Sequence, residues 1–188
     1  MDEAFLSEDV GPPETVITPL DAHSADLHFR GFSKAVIDAE RRQPENFLYD
    51  QVSPVSQWNP TAGKYTRYGD VRELIGATDD RLLLMGSGDE VTLLFDPAKL
   101  PALKTGWKRD FLLLVDGWAK DADANTAFSK TVEPLPFHGM STYPYPASDS
   151  FPRDTAHNNY REHFNTRPAL RLLRPLNTKG GSTNGLHN

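Results

Sequence analysis

Asp121, Asp123 and Asn125 place three side-chain oxygens at alternate positions, the spacing of the first three ligands of an EF-hand calcium loop. Calcium is a hard cation that collects oxygens, so carboxylate, carboxylate, amide is suitable chemistry for starting its shell. The series then departs from the pattern. The sixth loop position, where a glycine makes the sharp turn, is Thr126; the twelfth, where a bidentate glutamate belongs, is Val132, with Glu133 one place later. A calcium site here would have to gather its remaining oxygens from Asp116, Glu133 or backbone carbonyls. The same residues also suit a solvated turn whose Asp and Asn side chains bond the local backbone.

His138 follows Pro136-Phe137 and precedes Gly139. An imidazole in such a place could bind a metal or act as a general base, or be held by backbone or carboxylate partners. His23, His28, His157 and His163 show no paired metal spacing, so a zinc site would need assembly by the fold. Ser141 lacks the G-x-S-x-G elbow of a serine hydrolase. Gly86-Ser87-Gly88 leads into a strand-like run instead of a helix, which suits a hairpin turn better than a phosphate cradle. Trp118, Tyr143 and Tyr145 could stack on the apolar faces of sugar rings, or pack as loop aromatics. These candidates form no complete reactive constellation, and the expectation is a domain without catalysis. The rival is a calcium-dependent binding protein or enzyme built on the DADAN loop and His138.

The elements that must position these residues read as strands joined by loops rich in Pro and Gly. Ala25, Leu27 and Phe29 alternate with Asp26, His28 and Arg30, the period of a half-buried strand. Ser33 to Gln43 reads as a short helical turn stopped by Pro44, and Phe47 to Val52 as an extended piece. Residues 53–69 form an aromatic loop. A helix is expected at Asp70–Ala77, with Asp70 and Glu73 in capping-box positions. Arg81–Met85 and Glu90–Phe95 read as a hairpin, and Asp110–Val115 as a further buried strand. A short helix at Ala156–Phe164 and an extended segment at Ala169–Leu173 complete the series. The predicted class is mainly β: an antiparallel β-sandwich or jelly-roll-like core with long loops and one or two short helices. The expected organisation is a flexible arm over 1–20, one β-rich domain over 21–176 and a disordered tail over 177–188.

A chain of 188 residues, 38% hydrophobic, is enough for one domain with a buried core. The net charge of −6 argues against nucleic acid, which needs a basic face to displace its counterions. No apolar run approaches the ~20 residues of a membrane span. The absence of cysteine removes disulfides and thiolate chemistry. The acidic start, MDEAFLSEDVGPPET, lacks the basic and apolar segments of a secretory signal, so none is expected.

The strings SADLHFRGFS, KYTRYGDVRELI, DDRLLLMGSGDEVTLLFD, GWKRDFLLLVDGWAKDADANTAFSKTVEPLPFHGMSTYPYP and NTRPALRLL cover much of residues 22–174. In them the chain resembles the C-terminal region of bacterial FG-GAP/ASPIC-UnbV proteins, VCBS-type relatives of cartilage acidic protein. The resemblance implies an accessory domain, secreted or at the cell surface. Its expected contacts are an FG-GAP propeller, an ASPIC/UnbV segment, or a glycan or protein ligand.

Overall fold

A computed structural model of the chain describes residues 14–40, 44–54, 60–120, 125 and 127–169. The fold is mainly β, with 26% strand against 11% helix and antiparallel pairing in every sheet. Strand β1 (Ala22–Phe29) buries Ala25 and Leu27 on one face, as its alternation requires. Strand β2 spans Phe32–Ile37, β3 Pro44–Ser53, β4 Lys64–Tyr65 and β5 Gly69–Asp70. Helix α1 is the single turn Arg72–Ile75; β6 (Asp89–Phe95), helix α2 (Thr155–His163) and β7 (Arg167–Pro168) follow.

Three small sheets result. In the first, β1 lies between β5 and β6, with Leu27 opposite Gly69 on one side and Val91 on the other. The second is the β2–β3 pair, and the third is β4–β7. The helical turn expected over Ser33–Gln43 is replaced by β2. Val36 and Ile37 are β-branched, and β3 supplies a ladder in which Ala35 faces Phe47 and Ser33 faces Val52. Gly31, at φ +108°, lets the chain pass from β1 into β2, where a Cβ would come within 2.5 Å of Val52 Cγ1.

Two apolar clusters hold the first and third sheets; among the described residues neither includes a residue of β2 or β3. One gathers Ala25, Leu27 and Val71 beneath β1. The other joins Tyr65, Leu74, Val132, Leu135, Phe151, Tyr160 and Phe164. Leu83 packs against both. Helix α2 brings Tyr160 and Phe164 to the second cluster, its first turn capped by Asp154, which accepts from Ala156 N at 2.9 Å and His157 N at 3.1 Å. At α1 the expected capping box does not form. Asp70 accepts from Arg72 N instead, and Glu73 bonds Arg81 at 2.9 Å.

The strand expectations for 81–85 and 110–115 are overturned. Arg81–Met85 forms no ladder, and β6 pairs with β1 in place of the expected hairpin partner. The backbone of this segment is satisfied otherwise: Leu84 N donates to Thr66 Oγ1, Leu84 O accepts from Thr66 N, and Leu82 O accepts from the Tyr160 hydroxyl. Its leucines are partly buried against the clusters without strand pairing. Phe111–Val115 is likewise unpaired, and it is exposed. Among the described residues no helix is long and apolar enough to cross a membrane.

Candidate functional site

The stretch from Phe111 to Trp118 leaves the body of the domain. Phe111, Leu112, Leu113, Leu114 and Val115 are 72, 99, 66, 90 and 74% exposed. The alternation is that of an extended chain: Leu112 and Leu114 are almost fully exposed, and Phe111, Leu113 and Val115 somewhat less so. All five line an open cavity of about 3210 Å³, whose lining also includes Leu82, Leu84, Val91 and Leu93. Trp118, 53% exposed, ends the run.

A clamp holds the far end. The turn at Phe137–Met140, closed by Met140 N donating to Phe137 O at 3.1 Å, presents His138 between two carboxylates. Its Nδ1 lies 2.8 Å from Asp80 Oδ1, and its Nε2 lies 3.0 Å from Asp116 Oδ2. The His138 backbone N–H donates to the same Asp80 oxygen at 2.8 Å. The hydrogen bond to Asp80, then that to Asp116, raises the imidazole pKa above its ordinary value, because each favours the protonated ring. When protonated, the ring donates from both nitrogens and keeps no lone pair for a metal or a substrate proton. The two carboxylates sit against opposite nitrogens, so His138, Asp80 and Asp116 cannot share one ion. Among the described residues no group of three His, Asp or Glu side chains has metal-binding geometry.

The remaining candidates are dispersed. Glu133 accepts from Arg161 Nη2 at 2.6 Å, bringing α2 to the segment before Leu135. Asn125 lies in an exposed turn, and Asp121 and Asp123 lie outside the described residues. Trp118 meets Tyr143 at 5.2 Å between ring centroids and an angle of 56°; Tyr143 meets Tyr145 at 6.3 Å and 69°. Tyr145 then meets Phe137 edge-on at 5.0 Å. The tyrosines are half-buried, and burial raises their pKa values. Edge-to-face contact makes this a packed seam running inward from Trp118 rather than a flat platform.

Sequence reasoning missed Asp80, Lys120 and the Asp89–Arg167 pair. Lys120 Nζ donates to the carbonyls of Thr131 at 2.7 Å and Val132 at 3.0 Å, and burial lowers its pKa. It anchors the chain just after the exposed run. Asp89, its side chain 2% exposed, accepts from Arg167 Nη2 at 2.5 Å, Gly86 N at 2.7 Å and the Tyr68 hydroxyl at 2.8 Å. The Asp79-Asp80 doublet was the available signal for the clamp, but nothing local links it to a histidine 58 residues away.

No protein-family model, curated protein or solved structure matches this chain.

Proposed function

We propose that the chain is a non-catalytic interaction domain that takes a protein partner on the Phe111–Trp118 segment. The observation that carries this reading is the exposure of five consecutive apolar side chains, each at 66% or more. Covering such side chains stabilises a complex by roughly 1.5–3 kcal/mol apiece when burial is complete, whereas an exposed ion pair contributes only about 0–1 kcal/mol. Contiguous apolar surface of this kind marks protein contacts. The nearby polar groups are engaged in holding loops together. Both nitrogens of His138 face carboxylates, and the Ser141 hydroxyl donates to Asp149 at 2.7 Å.

The resemblance to FG-GAP/ASPIC-UnbV C-terminal regions supports a propeller as the partner. The test is calorimetric titration into a recombinant FG-GAP propeller, with and without calcium, using the native chain and a Leu112→Asp, Leu114→Asp variant. Those two side chains are 99 and 90% exposed, so the variant leaves the core untouched. Heat from the native chain that is lost in the variant supports the reading. Equal binding by both chains, or no heat from either, refutes it; heat that appears only with calcium and survives the substitution favours the metal-dependent rival.

A further inference from the structure

The exposed run faces an apolar wall of its own chain. β6 is the outer strand of its sheet, with β1 on one side and, among the described residues, no strand on the other. Val91 and Leu93 of β6 pack toward the Ala25–Leu27–Val71 cluster yet still line the open cavity, as do Leu82, Leu83 and Leu84. Phe111, Leu113 and Val115, the less exposed residues of the run, line the same cavity. Among the described residues none supplies a backbone hydrogen-bond partner to residues 111–115. A strand edge with unused N–H and C=O groups and an apolar extended segment with the same deficit are complementary.

The connection allows them to meet. Residues 96–110 join β6 to the run; they contain one 3-10 turn, Pro97–Lys99, and a bend at Gly106 with φ +84° and open space around its Cα. Fifteen residues reach roughly 50 Å when extended, far more than an antiparallel return to a neighbouring strand needs. The far end is fixed by Asp116 on His138 and by Lys120 on the carbonyls of Thr131 and Val132. The segment is thus tethered at both ends and free between them.

We infer that Phe111–Val115 is a strap that closes on the free edge of β6, placing Phe111, Leu113 and Val115 against Leu82–Leu84, Val91 and Leu93 and leaving Leu112 and Leu114 outside. Closure completes a fourth strand of the first sheet and fills the cavity. It also withdraws half of the apolar run from any partner, so closure and partner binding compete. Only that competition rests on the interaction reading above.

The chain has no cysteine, so paired cysteines report closure without background. Leu112→Cys combined with Thr92→Cys, and separately with Leu94→Cys, places thiols on outward positions of the strap and of β6. A disulfide needs Cα atoms within about 7 Å. The expected result in dilute protein under mild oxidant is an intramolecular disulfide in at least one pair, seen as a monomer two hydrogens lighter by mass spectrometry. Alternate amides within 111–115, those that point at β6, should then show at least tenfold slower hydrogen exchange in the native chain than in Leu113→Asp. Crosslinks that form only between chains, increasing with concentration, overturn the inference by showing a second copy as the occupant. No crosslink together with unprotected amides overturns it by showing that the strap stays open. Neither readout uses a partner, so failure here is distinct from failure of the titration above.

Discussion

Replacing Tyr160 by Phe removes a single oxygen and should change the alkaline behaviour of the whole domain. The Tyr160 hydroxyl donates to Leu82 O at 2.7 Å from a side chain that is 3% exposed, tying α2 to the leucine wall. Deleting it leaves a part-buried carbonyl without its partner, which costs ~1–2 kcal/mol at pH 7. Burial also pushes the phenol pKa from 10.0 to about 12. A pKa raised in the folded state means that the native protein holds this proton more tightly than the unfolded chain. The associated stability is therefore complete below pH 10 and is lost as pH rises through 12. Two units correspond to ~2.7 kcal/mol, of which about half is gone by pH 11. Tyr160→Phe has no such proton to lose. Urea unfolding followed by tryptophan fluorescence should show the variant ~1–2 kcal/mol less stable at pH 7 and close to the native protein at pH 11. The other tyrosines titrate in both chains and cancel in the difference. A gap that stays constant between the two pH values would refute the assignment of the shift to this buried hydroxyl.

Two further outcomes follow from the charged groups. Asp89→Ala leaves Arg167 without its buried carboxylate and also removes the acceptor of Gly86 N and Tyr68, so stability should fall by ~3–5 kcal/mol in denaturant unfolding, the range for a broken buried pair; a loss below 1 kcal/mol would show that water replaces these contacts. The His138 ring should titrate above its ordinary 6.5 by NMR and fall back further in Asp80→Asn than in Asp116→Asn, since the Asp80 bond is the larger cause. Because that pKa is raised on folding, the clamp's contribution is full below about pH 6.5 and fades as pH climbs through the folded value.

Part of the local reading holds, although Phe29, third in the β1 alternation, is 46% exposed and the helix expected at Asp70–Ala77 is the single turn Arg72–Ile75. Ala25 and Leu27 are buried where the period of two places them, and Glu90–Phe95 is a strand because its residues are β-branched and apolar. Asp154 capping Ala156 and His157 explains why the α2 region was legible. The failures concern partners. Val36 and Ile37 become strand because β3 offers a ladder, which the local helical reading of Ser33–Gln43 could not register. Leu82–Leu84 and Phe111–Val115 look alike as apolar runs, yet one is covered by two clusters and the other is bare. Apolar composition states that a segment seeks cover without stating what covers it. The site shows the same limit: Asp116 and Glu133 were grouped as oxygen donors, but the fold sends one to His138 and the other to Arg161.

The closing strand pair has a bearing on biosynthesis. Arg167 Nε donates to Thr66 O across 101 residues of chain, and Tyr160 and Phe164 complete the cluster begun by Tyr65. At ~5–20 residues per second, translation of that interval takes roughly 5–20 s. Until α2 has emerged from the ribosome, the Leu82–Leu84 wall has neither its helix nor the hydroxyl that satisfies Leu82 O. The nascent domain therefore passes through an interval with that wall uncovered, and slowing its translation between residues 85 and 155 would lengthen the window in which it can aggregate.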